Sequence, residues 1–568
     1  MNAYASLTTP YENVKDGSPS WDIYPRPQLV RDSFLSLNGK WSFGEGDVTD
    51  GEILVPFPPE SALSGIGRPI TSGRMTYRRT VSIPDGFVKD RLILHIGACD
   101  QIAELYINGK FAMRNEGGYL PFSCDITELC DSSELEIELK VTDTLDEKYP
   151  YGKQRKRRGG MWYTAVSGIW QTVWLESLPK SPIRSLKIEQ NAKFAKIKIN
   201  SEAEYKKLTL HADGSEYEFT GDEITVEPAS AHLWSPEDPY IYRFTLETET
   251  DRIDSYFALR EIGSARVGER EYLTLNGKPY LFNGLLDQGY FPDGIFLPPA
   301  PDAYRDDILL AKRLGFNTLR KHIKIEPLIF YHLCDTLGIV VFQDMVNNSH
   351  YSFIRDTALP TVGFKRLDTS KKHSDPDTRA AFHAQAEGTF SHLYNSPSVC
   401  LYTIFNEGWG QFLPDEAYEK YKAIDPSRII DTTSGWFKAS KSDVDSRHIY
   451  FKTPTLPSPD GRPIHLSEFG GYSLRIEGHL FGKSNYGYKL FSDGKSFEKA
   501  VTDLYTEGVA PLAKEGLSAF IYTQLSDVED ETNGLVTYDR RVVKIDENAM
   551  REANDRVYEA FRSATEKK

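Results

Sequence analysis

Two stretches of the sequence decide the fold, Leu401-Tyr-Thr-Ile-Phe-Asn-Glu-Gly-Trp409 and Pro463-Ile-His-Leu-Ser-Glu-Phe-Gly-Gly471. Each contains a short apolar run typical of a buried parallel strand, and each places a glutamate, Glu407 or Glu468, where the strand gives way to a loop. If both strands belong to one (β/α)₈ barrel, both carboxylates lie at its C-terminal face, where such barrels carry their chemistry. A carboxylate pair there is what cleavage of a glycosidic bond requires, one as acid and one as nucleophile or base.

The sequence before these stretches is dominated by short strands. Leu92–Ile96 and Leu135–Val141 are examples, and turn residues such as Asn108-Gly109 separate runs of this kind. This pattern predicts an N-terminal jelly-roll β-sandwich over residues 1–180. Residues 181–266 continue with still more closely spaced strands, which predicts a second, immunoglobulin-like β-sandwich.

The pattern changes in the last part of the chain, where helices alternate with strands. Tyr304–Leu314 and Pro327–Leu337 have helical periodicity, and strand-like runs such as Thr318–His322 alternate with them. Alternation of this kind over residues 267–568 predicts a C-terminal (β/α)₈ TIM barrel. The predicted fold class is therefore a multidomain protein of β plus α/β type.

The chain between the two glutamates leaves room for two complete barrel units. Their strands are predicted at Ile429–Thr433 and His448–Phe451. Both glutamates can then belong to the same barrel.

Composition and charge disfavour several classes of protein. A net charge of −15 over 568 residues argues against a nucleic-acid partner. The five cysteines are odd in number and lack C-x-x-C spacing, which predicts reduced thiols rather than disulfides or a zinc site. No basic stretch followed by an apolar one opens the chain, and no run approaches the ~18 apolar residues of a membrane span. We therefore expect a cytoplasmic protein with no membrane partner.

One run of positive charge, Lys153-Gln-Arg-Lys-Arg-Arg158, has two interpretations. The first is a solvated loop. The second is a loop that reaches the active site and contacts the substrate. A nucleic-acid patch is disfavoured because the chain as a whole is acidic.

Short motifs along nearly the whole chain, taken in order, resemble those of one family. They are Leu37-Asn-Gly-Lys-Trp-Ser-Phe43, Val55-Pro-Phe-Pro-Pro-Glu-Ser61, Tyr106-Ile-Asn-Gly-Lys110, Gly117-Gly-Tyr-Leu-Pro-Phe122, Ser167-Gly-Ile-Trp-Gln-Thr-Val-Trp174 and Leu275-Asn-Gly-Lys-Pro-Tyr280. Together with the three-domain order they resemble glycoside hydrolase family 2, which includes β-galactosidases, β-glucuronidases and β-mannosidases. The resemblance implies a carbohydrate or glycoconjugate substrate.

The resemblance also implies roles for the two glutamates. Asn406-Glu407 resembles the family's Asn-Glu pair at the end of strand four, where the glutamate is the general acid/base, and Glu468 resembles the nucleophile at the end of strand seven. The family is retaining, so the carboxyl groups should lie about 5–5.5 Å apart. Glu468 must be ionised to attack the anomeric carbon, and Glu407 must hold its proton near neutral pH to protonate the leaving oxygen.

Further polar or aromatic residues around these strands are candidate substrate-binding residues. Asn406 could bond the sugar's 2-hydroxyl and Tyr450 could hydrogen-bond the nucleophile, while the tryptophans could stack on a sugar face. For the tyrosine, the histidine and the tryptophans, structural packing is the alternative interpretation. The candidates are Asn406, His322, Tyr450, Asp287, Trp409 and Trp436, with Glu529 and Asp530 as weaker candidates after strand eight.

The chain departs from the family pattern at two places. After strand one, Asp287-Gln-Gly-Tyr-Phe-Pro-Asp293 replaces the His-Glu cluster of β-galactosidases and β-glucuronidases. After strand eight, Glu531 and Asn533 stand where glucuronidases carry an Asn-x-Lys pair that recognises the sugar carboxylate. An acid in place of that cation disfavours an acidic sugar through repulsion between like charges.

We therefore expect an exo-acting β-glycosidase that prefers a neutral sugar, β-galactoside first. The alternatives are a β-glucuronidase or another family specificity, such as a β-mannosidase or arabinosidase, or a carbohydrate-binding protein without activity. For a glucuronidase, Arg540, Arg541 or the basic run could supply the cation. No cofactor or metal is expected, because no cluster has a dedicated ligand spacing. A homo-oligomer is compatible with the sequence, but no motif requires one.

Overall fold

The computed structural model describes residues 7–11, 20–130, 132–361, 364 and 373–566. The first domain is a β-sandwich with 3-10 helices at Ala62–Ser64 and Thr127–Leu129. Its strands are β1 (Phe34–Ser36), β2 (Gly39–Glu45), β3 (Gly51–Val55), β4 (Arg74–Ser82), β5 (Arg91–Ile96), β6 (Cys99–Asp100), β7 (Ile102–Ile107), β8 (Lys110–Glu116), β9 (Phe122–Asp125), β10 (Glu134–Thr142), β11 (Gln154–Arg155), β12 (Tyr163–Thr164), β13 (Gly168–Ile169) and β14 (Val173–Leu178).

Two sheets, in the orders β3-β2-β4-β10-β7-β8 and β1-β14-β5-β9, form this sandwich. Strand β10 shows why they pack face to face, because Leu135, Ile137, Leu139 and Val141 alternate with exposed or half-buried polar residues and are all buried. An alternation of period two places all four side chains on one face of the strand.

The second domain is also a sandwich, with the sheets β15-β16-β19 and β18-β17-β20-β21. Ile197, Leu208 and Phe244 are wholly buried in its core. Its strands are β15 (Ser185–Gln190), β16 (Ala195–Asn200), β17 (Tyr205–Leu210), β18 (Glu216–Thr220), β19 (Glu223–Val226), β20 (Tyr242–Glu247) and β21 (Arg252–Phe257).

The rest of the chain forms a small lead-in sheet and a parallel barrel. The strands are β22 (Ile262–Val267), β23 (Arg270–Leu275), β24 (Lys278–Pro279), β25 (Phe282–Asp287), β26 (Thr318–Lys321), β27 (Val340–Asp344), β28 (Val399–Asn406), β29 (Ile429–Ser434), β30 (Asp445–Ile449), β31 (Ile464–Gly470), β32 (Tyr472–Leu474), β33 (Lys489–Phe491) and β34 (Leu517–Thr523). The helices are α1 (Pro301–Arg313), α2 (Leu328–Leu337), α3 (Leu359–Thr361), α4 (Pro376–Leu393), α5 (Pro414–Ile424), α6 (Gly494–Asp503), α7 (Ala510–Glu515) and α8 (Glu547–Thr565), with π-helical turns at Ile354–Ala358 and Leu504–Val509.

The eight barrel strands are β25 to β31 and β34, which confirms the predicted fold class. The domain boundaries at 180/181 and 266/267 stay predictions. The first falls in the connection between β14 and β15, and the second falls near the end of β22.

The prediction of two complete barrel units between Glu407 and Glu468 is wrong in part. Strands β29 and β30 lie there, but no helix follows either of them in residues 435–463, all of which the structure describes. The connection after β29 is short, and the one after β30 carries four prolines, Pro454, Pro457, Pro459 and Pro463, which break helices. Strand β30 also begins earlier than predicted and ends before Tyr450.

The barrel is nearly closed. Backbone ladders join its strands in the order β29-β28-β27-β26-β25-β34-β31-β30, and β29 and β30, both fully described, share no ladder. The segment before β30 crosses this seam, because Asp443 N–H donates to Ile430 O at 3.0 Å and the Asp443 carboxylate accepts from Ile430 N–H at 2.8 Å.

An aromatic cluster packs residues 150–166 of the first domain, which we call the roof loop, onto the barrel. Tyr151 and Trp162 lie edge-on against Trp409, with ring centroids 5.4 and 5.1 Å apart. Trp162 also lies 4.9 Å from Tyr351, which follows β27. Because Trp409 and Tyr351 follow barrel strands, the roof loop covers part of the barrel's C-terminal face.

No helix in the described part of the chain is long and apolar enough to cross a membrane. All five cysteines are free, and Cys99, Cys334 and Cys400 are buried. This agrees with the prediction of reduced thiols.

Candidate active site

The structure brings Glu407 and Glu468 together at the C-terminal face of the barrel. One side-chain oxygen of each and a ring nitrogen of His448 lie within 4.8 Å of one another. Glu407 follows β28, and its N–H donates to Ser434 O at 2.8 Å. Its φ of 52° lies in the left-handed region, which turns the chain sharply at the strand end. Glu468 lies near the end of β31, opposite His448 of β30.

Glu468 is buried among positive charges and hydrogen-bond donors. The Tyr450 hydroxyl donates to its Oε2 at 2.6 Å, and Arg320 Nη1 donates to its Oε1 at 3.1 Å. Burial opposes ionisation, but the nearby charges of His448 and Arg320 outweigh it and lower the pKa of Glu468 to about 2. The side chain is therefore a carboxylate at neutral pH, as a nucleophile must be.

Arg320, on β26, joins the ends of several strands beneath the pair. Besides Glu468, its wholly buried guanidinium donates to Oδ1 of Asp344 at 3.0 Å, to Oδ1 of Asn406 at 2.9 Å and to Ser467 O at 2.9 Å. A planar guanidinium has five N–H donors in a rigid arrangement and can bind several acceptors at once. Arg320 therefore links the ends of strands β27, β28 and β31 through its hydrogen bonds. Sequence analysis assigned Arg320 no role, although this residue lies in the predicted strand Thr318–His322.

Asn406, at the end of β28, and His322, just after β26, lie beside the two glutamates at the base of the site, which we call the floor. Because Oδ1 of Asn406 accepts from Arg320, its Nδ2 is the donor left for a substrate hydroxyl. His322 Nδ1 lies 2.6 Å from Oδ2 of Asp344. Burial lowers the pKa of His322, while the pKa of Asp344 is lowered to about 2 because the Arg320 charge outweighs burial. The imidazole is thus neutral, with Nδ1–H donating and Nε2 left as an acceptor.

Tyr450 makes the hydrogen bond to Glu468 that the sequence suggested. Its ring stacks on Tyr488, with centroids 3.8 Å apart and 13° between the planes. Trp436, half-buried after β29, lies edge-on to the His448 ring at 5.6 Å. Both residues therefore border the carboxylate pair.

Sequence analysis missed His448. Its Nδ1 lies 2.8 Å from Oε1 of Glu407, and its Nε2 lies 2.8 Å from Ser434 Oγ and 3.5 Å from Oε1 of Glu468. A signal was present, because side chains two positions apart along a strand point the same way. Because Tyr450 was already a candidate, His448, two positions before it, was the next side chain expected to point towards the glutamates.

Two candidates lie outside the carboxylate pair. Asp287 is buried against Lys321 Nζ at 2.6 Å, and the same ammonium also bonds Glu326 at 2.9 Å. Trp409 is 3% exposed, and its Nε1 donates to Ser349 O at 2.9 Å. The structure thus places Asp287 in a buried ion pair and Trp409 in packing contacts, each beside the carboxylate pair.

The solvated-loop interpretation fits part of the basic run, and contact with a substrate stays a prediction. Lys156 and Arg157 are exposed, as in a solvated loop. Arg158 reaches the loop after strand eight, where Nη1 donates to Oδ2 of Asp530 at 3.2 Å and lies 3.5 Å from Oε2 of Glu529. Burial raises the pKa of Glu529 to about 7.

Lys153 and Arg155 form the inner side of the roof loop. The Arg155 guanidinium lies 4.1 Å over the Trp162 ring, and Lys153 Nζ lies 5.7 Å from the same ring. Lys153 is 8% exposed, and its charge interacts with His322 on the floor and with Glu531. The roof loop therefore brings a cation beside the floor.

Glu531 is wholly engaged by its neighbours. The Tyr163 hydroxyl donates to its Oε2, and Asn533 Nδ2 donates to its Oε1 at 3.0 Å. Burial raises the pKa of Glu531, against the Tyr163 hydrogen bond and the Lys153 charge. Its carboxyl group also lies close enough to Glu468 for their charges to interact.

The two arginines considered as alternative cations are engaged elsewhere. Arg540 pairs with Asp307 on α1 at 3.3 Å. Arg541 donates to Thr8 O and Thr9 O, both at 2.9 Å. Lys153 is thus better placed than either to meet a substrate.

Within the described residues, one group of three His, Cys, Asp or Glu side chains has donor atoms close enough together to hold a metal ion. Its members are Glu407, His448 and Glu468. Two carboxylates and an imidazole suit a divalent first-row metal. The expectation that no metal or cofactor is needed stays a prediction.

Comparison with known proteins identifies the family. The family model described as "Glycosyl hydrolases family 2, sugar binding domain" matches residues 61–179, and that described as "Glycosyl hydrolases family 2, TIM barrel domain" matches residues 267–457. The second match includes Glu407 and stops before Glu468. Dog β-glucuronidase is 25% identical over 72% of this chain and 69% of its own length. The β-galactosidase of Aeromonas hydrophila is 24% identical over 94% of this chain and 56% of its own length.

Solved structures agree on the fold. A β-D-glucuronidase from Dictyoglomus thermophilum superposes with a TM-score of 0.74 at 19% identity, covering 94% of this chain and 98% of that one. A β-galacturonidase from Eisenbergiella tayi superposes with a TM-score of 0.68 at 18% identity, covering 95% and 99%. The site and both matched domains agree, and the chain belongs to glycoside hydrolase family 2 and is a glycoside hydrolase.

Proposed function

We propose that the chain is a retaining exo-β-glycosidase that removes terminal sugar residues by double displacement. The observation that carries this is the approach of Glu407 and Glu468, with an oxygen of each within 4.8 Å. Retaining glycosidases hold their carboxyl groups about 5–5.5 Å apart, whereas inverting enzymes need about 6.5–9.5 Å to admit a water molecule. The short separation therefore favours retention.

In the first step Glu468 attacks the anomeric carbon, the bond to the leaving oxygen breaks, and Glu407 gives that oxygen its proton. In the second step the Glu407 carboxylate takes a proton from water, whose oxygen displaces Glu468 from the sugar. Asn406 can donate to the 2-hydroxyl and Nε2 of His322 can accept from another hydroxyl.

Exo action is supported by the roof loop. Trp162 and Tyr163 cover one side of the C-terminal face, and Tyr163 bonds Glu531 of the barrel. A face covered in this way suits the end of a glycan better than its interior.

A neutral sugar, β-galactoside first, is the leading candidate for the substrate. The Glu531 carboxyl group interacts with the charge of Glu468. A sugar carboxylate brought to this wall would face both acids, and like charges repel.

A β-uronoside is the second candidate, and Lys153 favours it. Its ammonium is mostly buried and interacts with His322 on the floor and with Glu531. A lysine in this position can pair with a sugar carboxylate.

The test is hydrolysis of p-nitrophenyl α- and β-glycosides of galactose, glucose, mannose, glucuronic acid, galacturonic acid and arabinose. A neutral substrate is expected to keep its KM in Lys153→Met, whereas a uronoside should lose at least ~10-fold in kcat/KM. The matched control is Lys156→Met, an exposed lysine of the same loop. Azide should restore turnover to Glu468→Ala and give a product of inverted configuration; failure of this rescue in a folded variant would overturn the mechanism.

A further inference from the structure

A cavity of about 190 Å³ lies between the first domain and the barrel, and neither glutamate of the candidate active site lines it. One wall is the outer face of the sheet β1-β14-β5-β9, and the facing wall includes Leu328 at the start of α2. His95 of β5 and Trp174 of β14 are cross-strand partners whose rings stack with centroids 4.6 Å apart. Because Leu94 and Leu175 next to them point into the sandwich core, the strand alternation turns this pair towards the barrel.

Two buried side chains that line this cavity have polar groups to which no described residue bonds. Gln171 is 8% exposed, and its side-chain amide has no hydrogen-bond partner among the described residues. His95 is also 8% exposed, and it bonds Glu176 through Nε2, while its Nδ1 has no partner in the same part of the chain. Buried polar groups are normally hydrogen-bonded, because leaving them unpaired is costly. A ligand in the cavity would supply the missing partners.

The two side chains offer different kinds of hydrogen bond. Burial lowers the pKa of His95 to about 4, so its imidazole is neutral at pH 7. Its Nε2 lies 3.2 Å from the Glu176 carboxylate and carries the proton, which leaves Nδ1 as an acceptor. The Gln171 amide offers both a donor and an acceptor. Hydroxyl groups, which also donate and accept, match this combination.

The rest of the wall is largely aromatic or aliphatic, with Trp21, Trp174 and Leu328 among the lining residues. Arg26 lines the cavity too, but its guanidinium already pairs with Glu176, so an anionic ligand would compete with that carboxylate. Apolar walls with a few polar groups are typical of small-molecule sites. The volume is below the roughly 300–1,000 Å³ of sites for drug-sized ligands, which suits a single small ring.

We propose that this cavity is a second binding site, which takes a neutral monosaccharide. Gln171 and His95 bond its hydroxyls, and Trp21 and Trp174 pack against its C–H groups. A sugar ring presents both kinds of surface, as the wall does. The site goes beyond the proposed catalytic function and does not depend on it. Because the cavity joins the first domain to α2, a bound sugar stabilises that contact.

The test is the rise in Tm that each sugar causes, measured by calorimetry with D-galactose, D-glucose, D-mannose or D-glucuronate. A ligand that binds only the folded state raises Tm with its concentration. The inhibition constant of the same sugar against p-nitrophenyl glycoside hydrolysis reports the active site alone. In Gln171→Leu the affinity of the cavity for a neutral sugar should fall by about 10-fold or more. The rise in Tm should therefore shrink while the inhibition constant stays unchanged.

A matched control separates binding from a loss of packing. Gln385 on α4 is 6% exposed and its Nε2 has no partner among the described residues, but it does not line this cavity. Gln385→Leu should keep the rise in Tm that the sugar causes in the wild type. Without sugar, Gln171→Leu should melt no lower than the wild type, since an apolar side chain of similar size replaces an unpaired amide.

Leu328→Trp fills the cavity from the barrel side and leaves both polar residues in place. It should abolish the same rise in Tm, and it tests the site if Gln171→Leu does not fold. No rise with any neutral sugar in the wild type, or a rise kept in both variants, would overturn the proposal. A rise confined to glucuronate would overturn it as well. Azide rescue of Glu468→Ala tests the double displacement separately, so its failure would leave this site standing.

Discussion

At the scale of single residues, the site keeps Glu468 ionised despite complete burial. Burial alone would raise the pKa of a carboxyl group. Here the charges of His448 and Arg320 and the hydroxyl of Tyr450 reverse that direction and bring the pKa of Glu468 to about 2. The ionised form of Glu468, which its proposed role as nucleophile requires, is therefore stabilised by its neighbours rather than by solvent.

Tyr450→Phe tests this balance. Removing one hydrogen bond to a charged group costs roughly 1.5–3 kcal/mol, which corresponds to a fall of about 10- to 10²-fold in kcat/KM. Because the lost bond favours the ionised form, the acid limb of kcat/KM should move to higher pH, as a pH–rate profile would measure. Tyr488→Phe keeps the ring stacked on Tyr450 and should leave the limb in place. An unmoved limb in Tyr450→Phe would show that the hydroxyl does not stabilise the charge.

At the scale of elements, the barrel strands could be predicted because each is a short apolar run. Glu407 and Glu468 could be placed as well, since each ends such a run. The missing helix after β30 could have been anticipated from the prolines before β31, and the one after β29 from the shortness of the connection. For the roof loop the sequence left two interpretations open. Lys153 and Trp162 meet residues far away in the sequence, and no local pattern reports such a contact.

Trp409→Phe tests whether this tryptophan binds sugar or fixes the roof loop. Its indole is buried and its Nε1–H bonds Ser349 O, which also accepts from the Tyr151 hydroxyl. Phenylalanine therefore removes one of two hydrogen bonds to this carbonyl, at a cost of about 0.5–1.5 kcal/mol. We expect a lower Tm, measured by calorimetry, with kcat for the preferred substrate within a few-fold of wild type. Trp436→Phe is the matched substitution on the open side of the site. A large loss of kcat in Trp409→Phe with unchanged Tm would instead favour sugar stacking.

At the scale of the whole molecule, a buried ion cluster joins the first two domains. Arg31 pairs with Glu176 of β14 at 3.5 Å and with Asp251, next to β21, at 2.8 Å, while Arg26 and His95 also contact Glu176. Burial opposes ionisation of Glu176, but the Arg26 charge and the His95 hydrogen bond outweigh it and lower its pKa. The cluster therefore stabilises the contact between the first two domains only while Glu176 is charged.

Glu176→Gln should lower Tm by several degrees at pH 7, because it takes the carboxylate partner from Arg26, while Arg31 keeps Asp251. Removing one partner of a buried ion pair costs about 3–5 kcal/mol. The pKa of Glu176 in the folded state lies below its unfolded value of about 4.3. The contribution of ionised Glu176 to the free energy of unfolding is therefore complete above the unfolded pKa, and it is lost as the pH falls towards the folded-state pKa. The difference in Tm between variant and wild type should therefore shrink below about pH 4, in scans from pH 7 to pH 3. Glu202→Gln, in an exposed pair with Arg184, is the control. A difference independent of pH would point to packing instead of charge.

The seam between β29 and β30 divides the active site as well as the barrel. Glu407 is hydrogen-bonded to Ser434 of β29, whereas Glu468 lies on β31 beside β30. The two carboxylates therefore lie towards opposite edges of the open barrel. At its upper rim the seam is bridged by His448, which bonds Ser434 across it. A change in the spacing of β29 and β30 would therefore also change the gap between the two carboxylates. We therefore expect substitutions along this seam to change turnover without contacting a substrate.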